Sequence, residues 1–234
     1  MRDWTKTFAE DLWLKPDDVG AEEAAFILRA LHLRAGQAVL DAPCGAGRIA
    51  IHVARHGCAV TGTDLRRSFT NRALARFRHE KRPGRFFAQD LRQMDFHNDF
   101  HGAYSWLGSF GYFSDAENLD VMRRYARALR KGGRLLIDQI NRESMLRHFA
   151  PSRRNGNVTT RARWDAGPQR ANSDWVVERN GKREHNRMSI RLYTPAQMRR
   201  LFQQAGLVVE AMYGSRNGEP YKRSSKRLIV VGRK

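Results

Sequence analysis

The stretch Val39-Leu-Asp-Ala-Pro-Cys-Gly-Ala-Gly-Arg48 restricts the fold of this chain more than any other. A short apolar strand, Ala38 to Leu40, ends in the carboxylate Asp41. A turn with Gly45 and Gly47 follows, then an apolar-periodic helix through Ile49, Ala50, Val53 and Ala54. Glycines let a backbone turn sharply and approach a ligand where a Cβ would clash, and the helix N-terminus behind them offers free N–H groups. A second apolar run, Ala59 to Thr63, ends in Asp64. An acid at the tip of the second strand is where a nucleotide-binding βαβ unit holds ribose hydroxyls.

Gly45-x-Gly47-x-x-Ala50 also satisfies the dinucleotide fingerprint, so on this unit alone a nicotinamide dinucleotide and S-adenosylmethionine both remain open. Two features favour the latter. Asp41 precedes the glycines, where a carboxylate can hold a cationic amino group and would repel a pyrophosphate. A third strand, Arg85 to Ala88, leads into Gln89-Asp90-Leu91, placing a carboxylate within reach of an adenine amino group.

With these residues in place, the chain resembles the class I S-adenosylmethionine-dependent methyltransferases, in particular the group with an Asp-x-x-Cys-Gly-x-Gly-Arg loop and small-molecule acceptors. The likeness continues through Trp106-Leu-Gly-Ser-Phe-Gly-Tyr-Phe113, Leu129 to Asp138, Arg191-Leu-Tyr-Thr-Pro195 and Arg227 to Val231. It implies an α/β, Rossmann-like seven-stranded sheet with the last strand antiparallel and helices on both faces. It also implies cofactor contacts from Asp41, Ala42, Pro43, Cys44, Gly45, Gly47, Asp64, Leu65, Asp90, Leu91, Trp106 and Leu107, with no metal.

The rest of the chain is read as follows. Residues 1–35 read as helical, with Trp4, Phe8, Leu12 and Trp13 at helical spacing and Glu22 to Leu33 carrying Ala25, Phe26, Leu28 and Leu31; the resemblance implies that these N-terminal helices lie over the cofactor. Residues 36–151 and 194–234 form the core. Helical periodicity marks Arg67–Arg82, Ala116–Leu129 and Pro195–Ala205, the last behind the N-cap residue Thr194. Strands are expected at Gly102–Trp106, Arg134–Ile140, Leu207–Met212 and Arg227–Val231, the last two as an antiparallel hairpin at the sheet edge. Residues 152–193 alternate apolar and polar side chains and predict an inserted three-stranded antiparallel meander, separated by turns at Ala166-Gly-Pro168 and Asn180-Gly181. Trp164, Trp175 and Val177 should pack against the main domain or a second subunit, because an isolated sheet of this size is marginal.

The acceptor wall is expected at Trp106–Phe113, which is too aromatic for a solvated loop and carries the hydroxyls of Ser109 and Tyr112. Tyr193 and Arg191 sit where the insertion returns to the core, so Tyr112, Ser109, Tyr193 and Arg191 are the catalytic candidates. Arg191 either clamps an anionic group of the acceptor or pairs with a surface acid. No general base is evident. His101 precedes the fourth strand, at the wrong end of the sheet, and His185 reads as a surface imidazole.

The chain's 43 basic and 24 acidic residues give a net charge of +19, and residues 142–234 hold 21 of the basic but 7 of the acidic ones. That asymmetry suits acidic partners, including nucleic acid, or a solvated arginine-rich surface. Against a nucleic-acid substrate, no separate RNA-binding module and no Asn/Asp-Pro-Pro-Tyr/Phe motif follows the fourth strand. No stretch nears the eighteen apolar residues of a membrane span, the N-terminus does not read as a secretory signal, and Cys44 and Cys58 read as reduced buried thiols. The expectation is a cytoplasmic methyltransferase of small molecules. The alternatives are an RNA or protein methyltransferase and a non-catalytic cofactor-binding protein. As a monomer, the meander would cover its own site; as a homodimer, two meanders would meet with their arginines at a wet rim.

Overall fold

The computed structural model describes residues 20–179 and 182–234. The expected helix through Trp4, Phe8, Leu12 and Trp13, and the Asn180-Gly181 turn, lie outside the described residues. In chain order the elements are α1 (Gly20–Ala30), β1 (Ala38–Asp41), α2 (Arg48–Arg55), β2 (Ala59–Asp64), α3 (Arg67–His79), β3 (Gly84–Ala88), β4 (Phe100–Ser105), α4 (Asp115–Ala128), β5 (Leu129–Ile140) and α5 (Arg142–Arg147). The insertion gives β6 (Ser152–Asn155), β7 (Val158–Asp165), β8 (Arg170–Arg179) and β9 (Lys182–Arg191). The chain closes with α6 (Pro195–Gln204), β10 (Val208–Tyr213) and β11 (Arg227–Arg233).

The main sheet has seven strands in the order β10-β11-β5-β4-β1-β2-β3. β11 is antiparallel to both its neighbours, and the other pairs are parallel. The expected hairpin forms, but only β10 lies at the edge, because β11 inserts between β5 and β10. The inner strands are buried on both faces, so their successive residues go to opposite cores. Leu40, Leu135, Ile137, Leu228 and Val230 face α4 and α6. Val39, Leu136, Ile229 and Val231 face α1 and α2. Helix starts follow local chemistry. Thr194 and Gln197 form a capping box at α6, as do Ser114 and Glu117 at α4.

The inserted sheet has four strands, β6-β7-β8-β9, rather than the three expected. The extra strand, Ser-Arg-Arg-Asn, is exposed along its length and lacks any apolar alternation. It forms because Gly156, at φ +57°, opens a two-residue turn that folds Asn155 back against Val158. Several insertion arginines also have acidic neighbours. Arg183 and Arg154 reach Glu178, Arg187 reaches Asp174 and Arg163 reaches Asp165. Val177 is buried, whereas Trp164 and Trp175 are half-buried.

One end of the insertion is fastened to the core. Arg191 N donates to Gly111 O at 2.8 Å, and Gln169 takes Arg142 and Gln197 at 3.0 and 3.1 Å. The Arg170 guanidinium caps the carbonyls of Gly111, Tyr112 and Phe113 at 3.3, 2.8 and 2.8 Å, while also gripping Ser189 on its own sheet. The insertion therefore holds the loop after β4 in place.

Candidate active site

The chain reverses direction across the sheet between β1 and β4, which opens a crevice beyond the carboxyl ends of these strands. A cleft of about 190 Å³ lies there. Asp41, Cys44, Gly45, Asp64, Asp90 and Trp106 line it, with Pro43, Leu65, Leu91 and Leu107. Ser109, Tyr112 and Phe113 form part of the same wall. Ten of the twelve expected cofactor residues thus come together.

The other two, Ala42 and Gly47, do not line the cleft. Ala42 is buried, and its carbonyl accepts the Tyr125 hydroxyl. Gly47 adopts φ +74° at the start of α2, where a Cβ would lie 2.9 Å from the Ala73 Cβ on α3. It serves close helix packing. Gly45 differs. At φ +53°, its missing Cβ would project into open space in the cleft.

The three acids are held in different ways. Asp64, at the end of β2, accepts Gly45 N at 2.9 Å and Arg66 N at 3.0 Å, so one carboxylate fixes the glycine loop and the entry to α3. Burial pushes its pKa up against those bonds. Asp41 is 2 % exposed. Burial raises its pKa well above the ordinary range; the Tyr104 hydroxyl opposes this, Asp64 adds to it and Arg48 opposes it. Asp90 is also pushed up by burial, but the Arg92 fork and the Arg92 N–H outweigh that and leave it below the usual range. Arg92 Nη2 meets Asp90 at 2.8 Å and Nη1 meets Glu117 at 2.8 Å, with the guanidinium 4.5 Å from the Phe113 ring centre. Asp90 therefore also anchors the aromatic wall through Arg92. The Cys44 thiol is raised by burial and then by Asp41 and Asp64, so it stays protonated.

Tyr112 is hydrogen-bonded to Ser109, and burial pushes its pKa up to about 12. At neutral pH the phenol keeps its proton and acts as a donor. Tyr193 and Arg191 do not line the cleft. Arg191 Nε and the Tyr193 hydroxyl converge on Asp115 Oδ1 at 3.0 and 2.9 Å, and Asn118 donates to the same hydroxyl at 3.0 Å. Of the two readings of Arg191, pairing with an acid is the one observed. Together these residues brace residues 110–115 from behind. His101 lies at the opposite end of the sheet, its Nδ1 against Ala38 N, and His185 is exposed. The cleft's described residues include no histidine.

Residues 46, 48, 49, 66, 69 and 76 also line the cleft and were missed in sequence. Arg48, the first residue after the loop, carried the clearest signal. Among the described residues there is no cluster able to hold a metal, and no helix is long and apolar enough to cross a membrane.

Residues 39–133 match a family model described as a methyltransferase domain. The chain is 33% identical over 107 residues to an O-methyltransferase of Aspergillus sclerotiorum, covering 44% of this chain and 39% of that protein. The matched part spans about two fifths of the length of the curated relatives. Among solved structures, the CcbJ methyltransferase of Streptomyces caelestis superposes with a TM-score of 0.80 at 16% identity, covering 97% of this chain and 96% of that one. The sugar N-methyltransferase KedS8 of a Streptoalloteichus species gives 0.70 at 20%, covering 92% and 87%. At such identities the likeness is one of fold. That fold is the one shared by class I S-adenosylmethionine-dependent methyltransferases, as the sequence resemblance implied.

Proposed function

We propose that this protein transfers a methyl group from S-adenosylmethionine to the nitrogen or oxygen of a small-molecule acceptor. The observation that carries the proposal is the pair Asp41 and Asp64 facing one cleft beside Gly45. Burial raises both pKa values, so the charged carboxylates lack the solvation that a ligand bringing a cation and hydroxyl donors supplies. The space at Gly45 and the buried Trp106 Nε1, which has no hydrogen-bond partner, fit the same ligand. A dinucleotide would instead set its pyrophosphate against these carboxylates.

When bound, S-adenosylmethionine supplies an electrophilic methyl group on a sulfonium. Asp41 takes the ammonium of the amino-acid end. Asp64 keeps the glycine loop closed and accepts from the ribose hydroxyls. Asp90 meets the adenine side while Arg92 occupies its other edge. Ser109 and Tyr112 donate to the acceptor, orient it and exclude water beside the aromatic wall, so positioning carries much of the rate. With no histidine among the described residues of the cleft and its three carboxylates given to the cofactor, the acceptor enters as an unprotonated amine or an already acidic hydroxyl. The small-molecule assignment also draws on the named activity of KedS8. We read residues 152–193 as an insertion that braces the acceptor wall, with 36–151 and 194–234 as the catalytic core.

Thermal melting tests the cofactor. S-Adenosylmethionine or S-adenosylhomocysteine at a hundredfold excess over Kd should stabilise by about 2.7 kcal/mol. For a chain of this length that raises Tm by roughly 5–10 °C. NAD should leave Tm unchanged, and the reverse pattern rejects the proposal. Methyl transfer itself is tested with labelled cofactor and a metabolite extract, followed by mass spectrometry of the labelled product.

The same carboxylates fix the pH dependence. A carboxyl raised by folding binds its proton more tightly in the native state, so its cost to stability grows as pH rises through the folded pKa. A cationic ligand prefers the ionised form. S-Adenosylhomocysteine affinity should therefore fall as pH is lowered from neutral into the range just above ordinary carboxylate values, and Asp41→Asn should flatten that fall. Calorimetric titration at several pH values checks it. A flat wild-type profile would remove the role given to Asp41.

A further inference from the structure

We propose that the face formed by α3 and the free edge of β3 binds a single-stranded nucleic acid, with phosphates on Arg67, Arg78, Lys81 and Arg85 and bases in the groove between helix and strand. Residues 66–85 carry eight arginines or lysines and a single acid, Glu80. Glu80 is taken by Arg55 and Arg82, at 2.6 and 3.9 Å. Arg67, Arg78, Lys81 and Arg85 are exposed, and no carboxylate of the described residues meets them. None of the four lines the active-site cleft. β3 lies three strands from β4, whose end carries the aromatic wall, so this face is a docking surface apart from the acceptor pocket.

The cations are arranged in a row. α3 contains no acid, and Arg67 and Arg78 stand eleven residues apart on it. That is three turns, ~16 Å along one face of the helix. Guarding an edge strand against stray pairing accounts for the charge at Arg85, but not for a row on the helix beside it. A chain of phosphates fits such a row, because each cation meets one phosphate and releases its counterions.

The groove beside the row distinguishes a nucleic acid from other polyanions. It has a volume of about 430 Å³, opens to solvent and is lined by Arg67, Thr70, Asn71, Phe86, Gln89 and Gln93 among others. β3 ends the sheet, and Gln89 N donates inward to Asp64 O at 2.8 Å. By strand alternation the N–H and C=O groups of Phe86 and Ala88 then point outward along the free edge. The groove thus offers donors and acceptors together, as the edges of unstacked bases require. A carboxylate or a lipid phosphate needs donors alone. Phe87 shares the other face of the strand with Arg85. Its ring is 43% exposed, a platform on which one further base can stack.

Fluorescence anisotropy of the full chain with a labelled oligouridine tests this. Near physiological salt, Kd should be on the order of 1–100 μM. Log Kd should rise with log salt at a slope of about 3, from four phosphate contacts at about 0.7 each. Arg78→Gln should lower that slope by about 0.7. Phe87→Ala should keep the slope and weaken binding by about tenfold or more, through lost stacking. Arg161→Gln removes an exposed charge from the inserted sheet and controls for net charge; it should change Kd by less than about twofold, since screening confines each charge to its own neighbourhood. Arg78→Gln alters only an exposed side chain, so it decides the matter if Phe87→Ala fails to fold. Absence of binding, or equal weakening by Arg161→Gln and Arg78→Gln, overturns the proposal. Equal affinity for labelled polyglutamate overturns it too, by assigning the face to an acidic protein segment.

Discussion

Asp64→Ala is expected to weaken S-adenosylhomocysteine binding by about a hundredfold or more. Two charge-assisted hydrogen bonds to ribose hydroxyls, each worth roughly 1.5–3 kcal/mol, would be lost, and every 1.4 kcal/mol is tenfold in affinity. A second loss is structural. Asp64 also accepts Gly45 N and Arg66 N, so alanine releases the glycine loop that the ligand must meet preformed. The ligand-free protein should nevertheless melt close to the wild type, because burial holds the Asp64 pKa up and removing that charge offsets the two lost backbone bonds. Asp64→Asn separates the two roles. Its oxygen can still take one of the N–H groups, but its amide nitrogen faces the other as donor against donor. The measurement is calorimetric affinity beside ligand-free Tm. An affinity within a few-fold of wild type would show that Asp64 does not bind the ribose, whereas a ligand-free collapse would show that its two backbone bonds outweigh the cost of its burial.

Gly111→Ala should be the most damaging single-methyl substitution in the acceptor wall. Gly111 adopts φ +108°, and a Cβ there would lie 2.4 Å from the Arg191 carbonyl oxygen and 3.3 Å from its backbone N and C. All of these are backbone atoms of the strand that fastens the insertion, so a rotamer change cannot relieve the contact. The conformation itself costs an alanine about 1–3 kcal/mol. Separating the two chains would also lose the bonds that Gly111 O accepts from Arg191 N and Arg170, at about 0.5–1.5 kcal/mol each. A destabilisation of about 3–4 kcal/mol follows, a Tm drop on the order of 10 °C for a chain of this size. Methyl transfer should fail with it, since Ser109 and Tyr112 lose their support. Gly132→Ala is the control. Gly132 has φ +79° but nothing within 4 Å of the added Cβ, so only conformational strain acts there. Equal melting of the two variants would mean that the contact between loop and insertion carries no energy.

Local residue patterning was enough to read off the β1–α2–β2 unit and the direction of its strands. It also determined the convergence of Asp41, Asp64 and Asp90 and the location of the aromatic wall. These are local consequences, written in the alternation of neighbouring residues and in where glycines and N-caps fall. The placing of Val39 and Leu40 in opposite cores, the Thr194 cap and the exclusion of His101 from the site follow from the same rules. Tertiary structure decided which partner each polar group finds. Arg170 caps carbonyls 57 to 59 residues earlier in the chain, and Arg191 is committed to Asp115 rather than to a ligand. Gly47 turns out to serve α3, and β11 enters between β5 and β10. Strand β6 escaped notice because backbone pairing alone forms it, leaving no apolar pattern to read. Glu23 is shared between Arg48 and Arg216, the latter 193 residues away with its guanidinium against Trp106. Periodicity is carried by neighbours in the chain, but a buried charge is balanced by whichever groups the fold brings near, and no spacing in the sequence records that.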